Sequence, residues 1–298
     1  MVILQTQQLE FYFRRDQPIV KNVNLNVPQG SIFGFLGPNG AGKTTTIRLM
    51  LGLLRAKSGN IEIFGQELES NRSAIFQKIG SLIESPSLYL HLTGKQNLEI
   101  ARHYTRTPAS RIAEVLTLVG LEQAANKKAG AYSLGMKQRL GLAIALLHQP
   151  ELVILDEPTN GLDPGGIIEM RELIKQLNRD LGITFFVSSH LLAEVERMCT
   201  HVGIIHQGSL LFQGSIQELK SAQMQQRTLY IDTNDHEKAQ AVLMDLRTQV
   251  VEGKLTLPFE SKAQVAALNQ LLVTAGIEVY ELNVQGADLE EMFLHMTR

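Results

Sequence analysis

Gly37-Pro38-Asn39-Gly40-Ala41-Gly42-Lys43-Thr44-Thr45 joins a short apolar run, SIFGFLG (31–37), to a segment of good helix formers, 43–54. Glycines at 37, 40 and 42 let the backbone curl so that successive amides aim at one point. A helix starting there adds its positive end to the same point. The spacing Gly37-x-x-x-x-Gly42-Lys43-Thr44 therefore reads as a cradle for nucleotide phosphates, with Asn39, Gly40 and Thr45 counted in it. Lys43 reaches the β- and γ-phosphates, and the Thr44 hydroxyl is placed for Mg²⁺. A glycine-rich turn that merely matches the pattern is the alternative. The order strand, loop, helix argues against it.

Two carboxylates form the second candidate. LVILDEPTNGLD (152–163) is an apolar strand ending in Asp156 and Glu157. In an open parallel sheet, ligands bind beyond the carboxyl ends of the strands, which would set these acids beside the cradle. Asp156 is then expected to hold Mg²⁺, and Glu157 to orient or deprotonate an attacking water. Without the cradle, two acids after a strand would do no more than cap a turn. His190 follows another strand, ITFFVSS (183–189), and reaches a γ-phosphate if the two strands are neighbours. Otherwise it is a cap. Histidines such as His201 and His206 show no metal-ligand spacing.

YSLGMKQRL (132–140) offers a small hydroxyl, a glycine and two cations just before an apolar run. One reading is an ordinary helix cap by Ser133, with Lys137 and Arg139 solvated. The other is an anion site at a helix start.

The elements that must position these residues alternate. Strands at 2–13, 19–27, 31–37, 61–65, 151–156 and 183–189 are interleaved with helices at 43–54, 164–182 and 190–199. That alternation implies a parallel sheet covered on both faces. An all-helical block over 92–147 reads as an inserted lobe. Polar residues at 219–227 read as a linker between a domain at 1–218 and a second at 228–298. The second runs strand 228–233, helix 236–246, strands 249–253 and 254–258, helix 261–276, strand 277–284 and helix 287–297. That order suggests a small ferredoxin-like α+β sandwich.

Composition narrows the function classes. A formal net charge of -2 and a pI near 6.5 leave no footprint for nucleic acid, so none is expected as a partner. Cys199 is the single cysteine, which excludes an internal disulfide and fits a reducing compartment. The start, MVILQTQQLEFYF, lacks the order of a signal peptide. No apolar run approaches the roughly 18–20 residues that span a bilayer. A cytoplasmic chain is expected.

Together these segments resemble the ATP-binding cassette (ABC) family over about residues 1–218. The resemblance makes GPNGAGKTT the Walker A loop, LVILDEPT the Walker B strand, Asp163 part of the D-loop and His190 the switch histidine. YSLGMKQRL is similar to the family signature, with Tyr132 for leucine and Leu134 for the first glycine. Ser133 and Gly135 remain. The resemblance implies a P-loop ATPase domain with an antiparallel β subdomain and a helical lobe, ATP and Mg²⁺ as ligands, and hydrolysis coupled to transport. It also implies a head-to-tail dimer, as a homodimer or with a second ABC subunit, in which Ser133 and Gly135 close on the other copy's ATP. Integral membrane permease subunits would hold the dimer at the cytoplasmic face of the membrane. Glu84, in IGSLIESP (79–86), stands where most members carry glutamine. This glutamate and YSLGMKQR resemble the ATPase subunits of bacitracin-resistance and lantibiotic-immunity exporters. Of the aromatics before the second strand, Phe13 fits best as the adenine platform, with Phe11 and Tyr12 as competitors. A soluble ABC ATPase acting on nucleic acid or ribosomes is the rival reading, and a monomeric P-loop kinase a second.

Overall fold

The computed structural model describes residues 1–225, 228–243, 246, 248–251 and 253–285. The chain divides into two units, Met1–Ser215 and Ile216–Arg298.

The first unit opens with an antiparallel sheet. β1 (Val2–Arg14) pairs with β2 (Gln17–Val23) and β3 (Asn26–Pro28). The sequence suggested one strand over 19–27. It breaks because Asn22 sits at φ 49° and Asn24 spends its side chain on the Gln8 amide and the Asn22 carbonyl. β4 (Ile32–Leu36), wholly buried, leads through the glycine loop into α1 (Lys43–Met50). β5 (Ser58–Ile63) and β6 (Gln66–Glu67) extend the antiparallel sheet, followed by α2 (Leu68–Phe76) and β7 (Ile79–Leu82).

The helical lobe holds α3 (Gly94–Thr105), α4 (Ser110–Leu118) and α5 (Leu134–Leu146). A capping box starts α3: Thr93 Oγ1 accepts from the Gln96 amide while the Gln96 side chain accepts from the Thr93 amide. β8 (Leu152–Asp156), α6 (Pro164–Leu181), β9 (Thr184–Ser189), α7 (Leu192–Met198), β10 (His201–His206) and β11 (Ser209–Ser215) complete the unit. The main sheet runs β11-β10-β4-β9-β8-β7, parallel from β10 to β7. Its order places β4 next to β9 and β9 next to β8. The glycine loop, His190 and the Asp156–Glu157 pair thus leave three adjacent interior strands at their carboxyl ends.

α8 (Ile216–Gln225) occupies most of the stretch read as a linker. Gln, Glu and Lys are good helix formers, and Ile216 and Leu219 at i and i+3 are buried, so polarity there marked a helix face rather than a connector. The rest of the second unit runs β12 (Thr228–Thr233), α9 (His236–Val242), β13 (Gln249–Val251), β14 (Lys254–Pro258), α10 (Lys262–Thr274) and β15 (Val279–Gln285). Its antiparallel sheet has the order β13-β14-β12-β15, the ferredoxin-like arrangement. Leu229, Ile231, Leu255 and Leu257 from the strands pack with Leu268 and Leu272 into a separate core. The helix expected over 287–297 lies outside the described residues.

Candidate active site

Two glycines have no substitute in the loop after β4. Gly42 sits at φ 106°, and a Cβ there would lie 2.8 Å from the Ile19 carbonyl oxygen. A Cβ on Gly37 would lie 2.4 Å from the Ile205 carbonyl oxygen. The loop is therefore wedged between β2 and β10 as bare backbone.

Lys43 opens α1 and is nearly buried, at 6% exposure. Its Nζ donates to the Gly37 carbonyl at 2.7 Å and the Pro38 carbonyl at 3.3 Å, and pairs with Glu157 Oε1 at 3.2 Å. An ammonium held among such oxygens is already placed for anionic ones. Thr44 Oγ1 donates to Asp156 Oδ2 at 2.8 Å, across 112 residues of sequence. Glu157 Oε2 meets His190 Nδ1 at 2.7 Å. An ionised carboxylate only accepts, so this bond puts the proton on Nδ1.

Asn39, Gly40, Gly42, Lys43, Thr44, Thr45, Glu157 and His190 line one cleft of about 510 Å³. That size suits a small ligand. Ile19 and Asn160, which the sequence did not single out, complete it. Ile19 contributes through its position on β2, and Asn160 through the turn after Glu157; neither carries a motif of its own. Size alone does not define the site. A depression of about 1060 Å³ beside the α3–α4 turn is larger, and no acidic residue lines it.

Ser133 and Asp163 lie elsewhere. Ser133 caps α5, accepting from the Met136 amide at 3.2 Å, and Asp163 caps α6, accepting from the Gly166 amide at 3.2 Å. Both border a second depression, of about 770 Å³, with Gly135 and Leu134. The chain does not bring Ser133 or Gly135 to its own phosphate loop. The residues 157–163 link the two places, with Glu157 and Asn160 lining the first and Gly161, Leu162 and Asp163 the second. Tyr132, in the place of leucine, is buried with its hydroxyl donating to the Ala124 carbonyl at 2.6 Å. Burial pushes that phenol above its ordinary value.

Glu84 is also away from the cleft. It is exposed, sits at φ 58° and pairs with Arg48 of α1 at 2.6 Å. Of the three aromatics, Phe11 belongs to the core and Tyr12 lies under Lys57 Nζ at 5.7 Å. Phe13 is 70% exposed, edge-on to Phe11 with ring centroids 5.0 Å apart. It does not border the phosphate cleft, whose lining ends at Ile19 on this side.

A glycine loop between a buried parallel strand and a helix, with lysine, hydroxyl, paired carboxylates and histidine converging on it, defines a P-loop nucleoside triphosphatase. The antiparallel sheet on one side and the helical lobe on the other narrow the class further. Residues 20–160 match the family described as ABC transporter. The chain is 46% identical to the bacitracin transport ATP-binding protein BcrA of Bacillus licheniformis, over 94% of this chain and 92% of that one. It is 41% identical to the lantibiotic transport ATP-binding protein SrtF of Streptococcus pyogenes, over 71% of this chain and 90% of that one. Among solved structures, cbiO1 from Clostridium perfringens, part of the ABC transporter complex cbiONQ, superposes with a TM-score of 0.68 at 28% identity. That match covers 74% of this chain and 91% of cbiO1. The chain belongs to the ATP-binding subunits of ABC transporters and is an ATPase of that family.

Proposed function

We propose that the chain powers an exporter of peptide antibiotics of the bacitracin or lantibiotic kind, and that two copies, or one copy and a second ABC subunit, close around ATP to do so. The cargo class is carried by the likeness to BcrA along nearly the whole chain, the C-terminal unit included. The chemistry is carried by one observation: Thr44–Asp156 and Lys43–Glu157–His190 join segments far apart in sequence at a single phosphate loop.

The residues then take these parts. Lys43 exchanges loop carbonyls and Glu157 for the β- and γ-phosphate oxygens. Thr44 and Asp156 fit Mg²⁺, which prefers one or two oxygen ligands from protein and the rest from water and phosphate. Among the described residues no group of three or more acids, histidines or cysteines could hold a metal ion. Bound there, Mg²⁺ neutralises charge on the phosphate oxygens. Glu157, freed from Lys43, accepts the proton of the attacking water, and His190 holds Glu157 in place. Phe13, exposed and edge-on to Phe11, stacks on adenine. Ser133, the Gly135 amide and the start of α5 face the γ-phosphate of the partner's ATP, with Asp163 beside them.

Among the described residues no helix is long and apolar enough to cross a membrane. Separate permease subunits supply the spans and seat this chain at the cytoplasmic face, through the helical lobe and the exposed Glu84 loop. Glu157→Gln tests the assembly. With Mg²⁺ and ATP it should shift to a dimer by light scattering and hydrolyse ATP at least ~100-fold more slowly than wild type. A variant that stays monomeric and turns over normally overturns the reading. For the cargo, a strain lacking the chain should become more sensitive to bacitracin or a lantibiotic but not to an unrelated dye.

A further inference from the structure

Ser188, the next-to-last residue of β9, has no solvent exposure and no place in the residue roles above. It stands opposite Asp156 in the β8–β9 register. Its Oγ donates to Asp156 Oδ1 at 2.5 Å and accepts from the Glu157 amide at 2.9 Å. One hydroxyl thus touches both acids of the site, the first through its carboxylate and the second through its backbone. The side chain of its neighbour Ser189 turns away, its hydroxyl bonding the Leu191 backbone of its own loop.

We propose that Ser188 is a positioning residue that sets the metal-holding geometry of Asp156 and the backbone of Glu157 together. Asp156 is 1% exposed, so each of its oxygens needs a donor or a cation. Ser188 occupies Oδ1, which turns Oδ2 to Thr44 on the phosphate loop. Glu157 stands at φ 50°, a left-handed conformation that a non-glycine residue adopts only where surroundings fix it. The bond from its amide to Ser188 is such a fixture. Removing the hydroxyl frees Asp156 to rotate and leaves the Glu157 amide without its partner. The two effects fall on different steps: the first on holding the metal, the second on turnover once metal is bound.

The inference rests on Asp156 holding the metal, and the experiment separates the two. Mn²⁺ binding is read by electron paramagnetic resonance with ADP present, for wild type, Ser188→Ala, Ser188→Thr, Ser188→Cys and Asp156→Asn. ADP affinity in EDTA and the melting temperature are measured for each. Ser188→Ala should bind Mn²⁺ about 10- to 100-fold more weakly, the usual loss for a partner behind a metal ligand, while ADP affinity in EDTA stays within about threefold. Ser188→Thr should restore Mn²⁺ affinity to within about threefold because it keeps the hydroxyl; Ser188→Cys, whose thiol is somewhat larger and donates weakly, should fall between. At saturating Mg²⁺ the Ser188→Ala variant should still show a lowered kcat with an unchanged KM for ATP. Wild-type Mn²⁺ binding by a folded Ser188→Ala, with Asp156→Asn defective, overturns the role of Ser188 and leaves that of Asp156. Wild-type binding by both variants overturns the metal site itself.

Discussion

At the scale of single residues, Lys43 is the most exacting position in the site. A nearly buried ammonium survives there because two loop carbonyls and Glu157 surround it. Lys43→Ala removes a charge that ATP would otherwise meet, and it leaves Glu157 beside His190 alone. ATP affinity, measured by calorimetry in EDTA, should fall at least ~30-fold, about 2 kcal/mol, the scale of a lost charge-assisted contact. Near-normal affinity would remove Lys43 from its part. These residues were legible because their chemistry is local: the loop is contiguous, and the acids and His190 each end an apolar strand. Ser188 was not. Two serines at a strand end look alike in sequence, and only the β8–β9 register shows that one faces two acids while the other serves its own turn. Glu84 was read from its place in the chain, but its partner Arg48, 36 residues away, needed the fold.

At the scale of elements, helix starts carry both structure and function. Ser133 caps α5 in this chain, so the anion site we propose there and an ordinary cap would be one object. A substitution can still separate them. Ser133→Asp keeps a side-chain acceptor and should leave stability within about 0.5 kcal/mol, whereas Ser133→Ala should cost about 1 kcal/mol. The new carboxylate would face the γ-phosphate with a like charge, so a dimer trapped by Glu157→Gln should come apart when Ser133→Asp is added. A trapped dimer that tolerates the second substitution would show that the α5 start does not meet phosphate. Another element contact gives a pH dependence. His148, just past α5, reaches the Ile79 carbonyl at 3.0 Å, and burial holds its imidazole below the ordinary 6.5. The unfolded chain therefore takes up this proton first as pH falls. Stability contributed by neutral His148 is complete above about 6.5 and declines below it until the folded imidazole also titrates. Urea midpoints between about pH 8 and 5 should fall more in wild type than in His148→Gln. Element boundaries were harder to read than elements. The strand over 19–27 broke where an asparagine side chain took a backbone partner, and α8 hid in a polar stretch whose residues favour helix as much as solvent.

At the scale of the whole molecule, the two units have separate cores. One is built on Phe33, Phe35 and Phe186 with the strands around them, and the other on Leu229, Ile231, Leu255 and Leu257. All the residues assigned to nucleotide lie in Met1–Ser215. A ligand stabilises only the unit that binds it, by RT ln(1 + [L]/Kd), or about 2.7 kcal/mol at 100 times Kd. Spread over some 215 residues, that free energy moves a melting temperature by roughly 5–11 °C. Calorimetry of the full chain should therefore resolve two transitions, and saturating ADP should raise one of them by this amount and leave the other in place. The shift should be lost in a Lys43→Ala chain titrated with the same ADP while both transitions remain, which ties it to the phosphate loop rather than to general ligand effects. A single transition that moves as a whole would instead mean that the second unit folds only with the first. The accessory domain would then belong to the stability of the ATP-binding unit, and substitutions in its core, such as Leu255→Ala, should lower that joint transition with and without ADP.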